Sequence, residues 1–187
     1  QSEYDHAVHI LQLAENGKIR LVVPAYALAE PFHKLGRVER ERRQLMDGLD
    51  RELGQMSRSA DFADIRSKST AIMAALAGKS DVDKREFDAV SVRVLKVAEV
   101  IPLTAMQLRA GISRQLVDLG PQDALIFAAA QEFLRTRSGE PSIFVNKNSK
   151  DFLAESVSQD LERLGCKVLV RFSAANSYIE NWLARGA

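Results

Sequence analysis

Four short apolar runs, each four or five residues long, are the feature that most constrains the fold of this chain. They are IRLVV at residues 19–23, VIPL at 100–103, SIFV at 142–145 and KVLV at 167–170. Between them lie longer stretches whose apolar residues recur every three or four positions, as on one face of a helix. Strands that alternate with helices indicate a parallel sheet covered by helices on both faces. We therefore predict a helix-rich α/β fold.

The segment LGPQDALIFAAA at residues 119–130 predicts a buried helix with an acidic residue at its start. Gly120 is expected to end the preceding helix. Pro121 suits the first turn of a new helix, where its missing N–H would have no partner anyway. Asp123 follows in that first turn, where the helix dipole favours a negative charge. The next residues are apolar nearly all round the helix. Asp123 is therefore either a capping residue or part of a functional site.

Size, charge and cysteine content limit the class of protein. The chain has 187 residues, which suits one domain. Its 26 Lys and Arg residues balance 25 Asp and Glu residues, so no overall charge attracts nucleic acid or a membrane. The single cysteine excludes an internal disulfide and fits the reducing cytoplasm. No apolar run approaches the roughly 20 residues that span a membrane, so we expect no membrane partner.

Residues 39–98 predict a helical extension of this domain. One part of it carries an amphipathic stripe, Leu45, Leu49, Leu53 and Met56. Such a stripe is a candidate surface for a homodimer or another partner, because amphipathic helices pair readily. Within the same extension, Gly78 is expected to end one helix before the next begins.

Polar residues occur where ligands bind in parallel α/β sheets, outside the carboxyl ends of the strands. Glu30 follows the first apolar run by about two helical turns, and Asp123 opens the helix between the second and third runs. Asn146, Asn148 and Asp151 lie in the turn after the third run. Carboxylates brought together from these places would repel one another, and a divalent cation relieves that repulsion. Oxygen ligands favour Mg²⁺ or Mn²⁺ over Zn²⁺.

The chain also resembles a known family in three segments, IRLVVPAYALAE, GPQDALIFAAA and SIFVNKNSKDF. In this order they are similar to segments of the PIN-domain ribonucleases, which include toxins of bacterial toxin–antitoxin pairs. The resemblance extends from about residue 7 to residue 170. It implies one PIN-like domain over residues 1–187, with three α/β/α layers and a central parallel sheet.

The same resemblance implies a function and a set of site residues. The expected activity is that of a metal-dependent endoribonuclease, which hydrolyses RNA phosphodiester bonds with Mg²⁺ or Mn²⁺. Glu30, Asp123 and Asp151 match the catalytic acids of the family, and these three residues together with Asn148 match its metal ligands. An RNA substrate and an antitoxin protein are the implied partners.

Two departures from the family pattern put this activity in question. The family has a first strand carrying a metal-binding Asp, and nothing before Ile19 matches that strand. We expect the missing strand and its loop, roughly 10–15 residues, to lie upstream or to come from another copy. In addition, Asn148 stands where many relatives have Asp, which lowers the charge of the site. The alternative prediction is therefore a catalytically impaired PIN-like module that binds protein or RNA.

Most of the candidate residues also have a simpler interpretation. Before the resemblance is considered, Glu30 is equally well an exposed helix acid. Asp151 has the alternative interpretation of a helix cap. Asn146 is more typical of a turn at a strand end than of a ligand. Lys147 and Lys150 flank the turn after the third run, and they either contact RNA phosphates or are solvated loop lysines.

Overall fold

The computed structural model describes residues 2–59, 65–115, 119–137, 139–148, 152 and 155–186. Within them the chain forms seven helices and four short strands. The helices are α1 (Glu3–Glu15), α2 (Ala25–Met56), α3 (Ile65–Val97), α4 (Ala105–Gln115), α5 (Pro121–Thr136), α6 (Glu155–Glu162) and α7 (Phe172–Ala184). The strands are β1 (Val22–Pro24), β2 (Glu99–Ile101), β3 (Ser142–Val145) and β4 (Cys166–Leu169).

The chain divides into two compact units. The first unit comprises Gln1–Leu28 and Val97–Ala187, and it contains all four strands. The second unit is Ala29–Lys96, which consists of most of α2 and α3. It contains nearly all of the segment for which the sequence predicts a helical extension.

The four strands form two separate sheets of two parallel strands each. β1 pairs with β2, with Val22 opposite Glu99. β3 pairs with β4, with Ser142 opposite Cys166. The prediction of a PIN-like α/β/α fold with a central parallel sheet is therefore wrong: across the described residues no sheet joins the two pairs, and most of the chain is helical.

The shortness of the strands gives a physical reason for this difference. Pro24 closes β1 and Pro102 directly follows β2, and a proline has no N–H with which to continue a strand ladder. The alternation of apolar runs and helices predicts where strands form along the chain. It carries no information on which strands become neighbours, because that depends on contacts between residues far apart in sequence.

The core of the first unit is built around α5, as its apolar sequence predicts. Its buried residues are Ala124, Ile126, Phe127, Ala128, Ala129, Ala130 and Leu134. Several of them pack with Phe152, Val157, Leu161 and Cys166, which come from later in the chain. The Cys166 thiol is inside this core, and burial raises its pKa to about 11.

α4 lies against α5 at a close backbone approach. Gly111 of α4 is buried, and a Cβ atom added to it would stand 2.7 Å from Cδ2 of Leu125 and 3.3 Å from its Cα. The absence of a side chain at Gly111 therefore sets how closely the two helices pack.

At the start of α4, Thr104 and Gln107 form a reciprocal cap. Gln107 N donates to Thr104 Oγ1 (3.2 Å), and Thr104 N donates to Gln107 Oε1 (3.1 Å).

A charged cluster joins the amino-terminal ends of the strands to the carboxyl-terminal end of α5. Arg20, two residues before β1, donates from Nε to Glu99 Oε2 of β2 (2.7 Å). Its Nη1 lies 3.5 Å from Oε2 of Glu140, two residues before β3. The guanidinium carbons of Arg20 and Arg137 lie 5.5 Å and 5.9 Å from the centroid of the Phe133 ring on α5. Cation–π contacts of this kind contribute about 0.5–1 kcal/mol each at exposed sites.

α1 and α7 are joined at their first turns by Glu3. Ser2 caps α1, and Asp5 completes the capping box. The Glu3 carboxylate accepts hydrogen bonds from Phe172 N (2.7 Å) and Ser173 Oγ (2.7 Å), at the start of α7. The bond from Ser173 is the main reason that the pKa of Glu3 is below its ordinary value of 4.5.

The second unit is an antiparallel helical hairpin. Contacts that cross it include the rings of Phe32 and Phe87 (centroids 6.3 Å apart), Lys84 Nζ with Glu39 Oε1 (2.8 Å), and Arg42 Nη1 with Asp83 Oδ2 (2.7 Å). Residue numbers rise along α2 as they fall along α3, so the two helices run in opposite directions. α3 continues through Gly78, which the sequence predicts to be a helix end.

The hairpin buries little apolar surface. Along α2, which is described over its whole length, no residue is buried. Leu45, the first residue of the predicted amphipathic stripe, is 53% exposed. Because α2 contributes no buried side chain, the core of the described hairpin is thin.

Candidate functional site

The first side of the candidate site is the start of α5. Gly120 is the N-cap residue and Pro121 follows it inside the helix, so no side chain caps the exposed amides. Asp123 lies in the first turn and is partly buried. Because Gly120 occupies the N-cap position, Asp123 is not the N-cap residue. Its charge still interacts favourably with the positive end of the helix dipole.

The second side is the turn that follows β3, and this turn is fixed by its own hydrogen bonds. Asn146 N donates to Leu169 O (3.1 Å), which extends the pairing with β4 by one bond. Asn146 Oδ1 accepts from Asn148 N (2.8 Å), which closes an Asx turn. Asn146 is therefore a turn residue, as the simpler interpretation predicts. Asn148 O in turn accepts from N of Phe152, whose side chain is fully buried in the core (3.2 Å).

These two sides meet at a contact between Asp123 and Asn148. Asn148 Nδ2 donates to Asp123 Oδ2 at 2.8 Å, and the bond is partly buried. It joins residues 25 positions apart, so it depends on the packing of α5 against the strand-end turn. The structure thus brings together two of the four predicted metal ligands, at the carboxyl end of β3 and the amino end of α5.

The chemistry of this pair suits a small divalent cation. Asp123 and Asn148 both carry side-chain oxygen atoms, which are the preferred ligands of Mg²⁺ and Mn²⁺. The nitrogen of the Asn148 amide faces the carboxylate, and a half-turn of the same amide would bring its oxygen to that position. Mg²⁺ is usually held by one or two protein carboxylates while waters fill its other positions. The two residues therefore fit such an ion.

The other predicted residues belong to the second unit, to the exposed part of the turn, or to the part of the chain outside the described residues. Glu30 is exposed on α2 and belongs to the second unit. Asp151 and Lys150 lie outside the described residues. Lys147 is exposed in the turn between Asn146 and Asn148. In the part of the chain that the structure describes, no group of three or more His, Cys, Asp or Glu residues could hold a metal ion.

Sequence reasoning missed the charged cluster around Phe133. Its members Arg20, Glu99 and Glu140 are separated by up to 120 positions, so no local spacing could have indicated it. It contains as many acidic as basic side chains, which pair with each other, and it lies at the far end of α5 from Asp123. We interpret it as structural.

Comparison of the chain with models of known protein families, with curated proteins and with solved structures gives no match. The resemblance to PIN-domain ribonucleases therefore stays a prediction that depends on the three quoted segments. No helix among the described residues is both long enough and apolar enough to cross a membrane.

Proposed function

We propose that this protein is a metal-dependent endoribonuclease, which hydrolyses RNA phosphodiester bonds with Mg²⁺ or Mn²⁺. The observation that carries the proposal is the contact between Asp123 Oδ2 and Asn148 Nδ2, at 2.8 Å. The resemblance to PIN-domain ribonucleases implies that these two residues share a metal site. Sequence spacing alone did not require them to touch.

In the proposed mechanism each residue of the site has one task. Asp123 supplies a negative charge whose position is held by α5, and Asn148 supplies a neutral oxygen from the turn. Asn146 and Phe152 hold that turn, through the Asx turn and through a buried anchor. A divalent cation bound there supplies charge neutralisation at phosphorus and an activated water.

The remaining predicted residues complete this proposal. Glu30 and Asp151 are the further acids that the family resemblance implies. We propose that Lys147, which is exposed beside Asn148, and Lys150 contact phosphates of the RNA. Such contacts would weaken as the salt concentration rises.

Partners and location follow from the same proposal. RNA is the substrate, and an antitoxin protein would be the natural inhibitor of a toxin of this kind. The exposed side chain of Leu45 favours a homodimer formed through the second unit. RNA as substrate and a single cysteine fit the cytoplasm.

The experiment is cleavage of a single-stranded RNA with Mn²⁺ or Mg²⁺ by three proteins: the unmodified chain, Asp123→Asn and Glu162→Gln. Glu162 is an exposed acid on α6 and serves as the matched control. We expect Asp123→Asn to lose Mn²⁺ affinity on the order of 100-fold and to lose cleavage with it. Glu162→Gln should keep both.

Two results would contradict the proposal. If Asp123→Asn still cleaved the RNA, this site would not take part in the reaction. No cleavage by the unmodified chain, together with no binding of Mn²⁺ in calorimetry, would reject the enzyme. Binding of RNA without cleavage would favour the impaired binding module instead, for which the neutral side chain of Asn148 is the supporting observation.

A further inference from the structure

α4 exposes large apolar side chains and buries a polar one. Gln107 and Gly111 are buried, one helical turn apart, on the side of α4 that packs against α5. Met106 is 63% exposed and Ile112 is 59% exposed. A surface helix of a globular protein normally has the opposite arrangement, with its apolar side chains toward the core and its polar ones outside. The exposed side of α4 is therefore a candidate interaction surface.

Arg109 lies at the centre of this exposed side. It stands two residues after Gln107 and two before Gly111, which at about 100° per residue places it opposite the buried pair. Met106 and Ile112 are each three residues from Arg109, so they lie about 60° to either side of it. Side chains spaced in this way form a continuous ridge on a helix. We call Met106, Arg109 and Ile112 the α4 ridge.

The charge of Arg109 is not balanced by a neighbour. Its exposed guanidinium makes no ion pair or hydrogen bond in the part of the chain that the structure describes. By contrast, Arg20 and Arg137 of the same unit both pair with Glu99. Residues 100–115 contain no Asp or Glu, so no acid of α4 can neutralise this charge. The α4 ridge thus presents an unpaired cation between two apolar side chains.

This composition is typical of a protein interface. Met and Arg are enriched in interfaces, and Arg is among the residues that contribute most to binding energy. α4 has 11 residues and is therefore about 16 Å long, so about three turns of another helix cover it. The ridge of one helix packs into the groove between side chains of a second helix.

Charge complementarity decides between two possible occupants of the α4 ridge. In a symmetric dimer the same residues of both copies meet at the two-fold axis. Arg109 lies near the middle of α4, so pairing of α4 with itself would bring two guanidinium groups together, and like charges repel. A partner helix that carries a carboxylate at this point instead forms a charge-assisted pair with the guanidinium.

We propose that the α4 ridge is the docking surface for an amphipathic helix of a partner protein, which presents one carboxylate among apolar side chains. The apolar side chains of that helix pack on Met106 and Ile112, and its carboxylate accepts hydrogen bonds from Arg109. The surface uses none of the residues of the candidate metal site. The proposal does not depend on the proposed nuclease activity.

The test is binding of a labelled peptide, followed by fluorescence anisotropy. The probe is the fluorescein-labelled peptide AKALLAAEAALLAKA, about four turns of helix, in which leucines one turn before and after the central Glu form an apolar face. The control peptide has Gln in place of that Glu. The proteins are the unmodified chain, Arg109→Glu and Lys18→Glu. Lys18 is an exposed cation of the same unit, so its variant makes the same change of net charge.

We expect the Glu peptide to bind the unmodified chain with a Kd on the order of 100 μM, because one helix face is a small interface. Arg109→Glu should weaken this binding about tenfold or more, and Lys18→Glu should change it less than about twofold. The Gln peptide should distinguish Arg109→Glu from the unmodified chain much less than the Glu peptide does, which isolates the pairing of the two charges.

Ile112→Ser tests the apolar part of the α4 ridge. Because Ile112 is exposed, this variant should keep the fold in circular dichroism and lose affinity for both peptides. Its folding also makes it a second variant, independent of the charge reversal.

Three results would overturn the proposal. The first is no saturable binding of the Glu peptide to the unmodified chain, and the second is equal binding to Arg109→Glu and the unmodified chain. The third is self-association in sedimentation that Ile112→Ser abolishes, which would assign the α4 ridge to a second copy. RNA cleavage is not a readout here, so failure of this proposal and failure of the proposed function are separate results.

Discussion

Each of the two units of this protein is stabilised by a different kind of internal contact. In the first unit α5 buries seven side chains, and the core around it includes the fully buried ring of Phe152. In the second unit α2 buries no residue, and the described contacts across the hairpin include ion pairs, a hydrogen bond and a pair of rings. Burial of a large apolar side chain contributes about 1.5–3 kcal/mol, whereas exposed ion pairs contribute little.

This difference explains why the candidate site is in the first unit. Asp123 and Asn148 are held by a helix and a turn whose backbones are both anchored to the core. A metal site needs ligands that keep their positions before the ion arrives. Glu30 lies in the second unit, at an exposed position of α2. The comparison makes four predictions, taken from the largest expected effect to the smallest.

The first prediction compares a buried and an exposed apolar side chain. Phe127→Ala in α5 should lower the free energy of unfolding by about 3–5 kcal/mol, because Phe127 is 1% exposed and its loss leaves a cavity. Leu45→Ala in α2, at 53% exposure, should change it by less than about 0.5 kcal/mol. Urea unfolding followed by fluorescence of Trp182, the single tryptophan, reports on the first unit.

Circular dichroism provides the control for this comparison, because it follows the helices of both units. If Phe127→Ala and Leu45→Ala proved equally destabilising, the contrast between the units would be wrong.

The second prediction concerns the charge of the candidate site. Asn148→Asp would place a second carboxylate about 3 Å from Asp123 and raise the pKa of one of them. A carboxyl whose pKa is higher in the folded state than in the unfolded state costs stability as the pH rises through the range between those two values. If that pKa rises by about one unit, the protein loses about 1.4 kcal/mol of stability at neutral pH. The melting temperature should therefore be lower than that of the unmodified chain at pH 7 and recover toward acid pH.

Added Mn²⁺ should restore the stability of Asn148→Asp at pH 7, and it should bind that variant more tightly than the unmodified chain. Calorimetry with Mn²⁺ measures this directly. A variant whose stability is insensitive to both pH and Mn²⁺ would show that the two side chains are not a metal site.

The third prediction concerns the contact between α1 and α7. The pKa of Glu3 is lowered mainly by the hydrogen bond from Ser173, so its stabilisation is present above 4.5 and is lost as the pH falls through the folded value. Glu3→Gln should lower the melting temperature of the first unit by a few degrees at pH 7. The difference should narrow below pH 4.5, as measured by Trp182 fluorescence. A difference that is constant with pH would assign the effect to packing.

The fourth prediction has the smallest effect and concerns the second unit. The pKa of Asp83 lies below its ordinary value of 3.8, first because of the hydrogen bond from Lys79 and then because of Arg42. Its stabilisation is present above 3.8 and is lost as the pH falls. Asp83→Asn should lower the melting temperature by less than about 2 °C in circular dichroism, and 1 M salt should remove most of that change. Asp88→Asn, at an exposed acid of the same helix, is the matched control and should have no effect.

Local chemistry predicts much of the first unit correctly. The pair Gly120–Pro121 marks the start of α5, Ser2 caps α1, and β3 has the predicted bounds. Each of these features is decided by residues within one helical turn or one short strand. The ends of the other strands differ from their predicted positions by one to three residues, and Pro102 explains the early end of β2.

Sequence could not predict the features that depend on distant neighbours. The separation of β1 from β3 and the hairpin through Gly78 are decided by packing between elements. The contact of Asp123 with Asn148 was reached through a family resemblance, since a spacing of 25 residues by itself indicates nothing. Glu30 matches the same family pattern and lies in the second unit, and its role at the site stays a prediction.

The buried position of Cys166 has a practical consequence for measurements on this chain. It is the single cysteine, and its thiol is both shielded and protonated at neutral pH. A thiol reagent can therefore label the protein only when the first unit opens. The labelling rate gives the opening equilibrium of this unit alone, without an introduced probe and without interference from the hairpin.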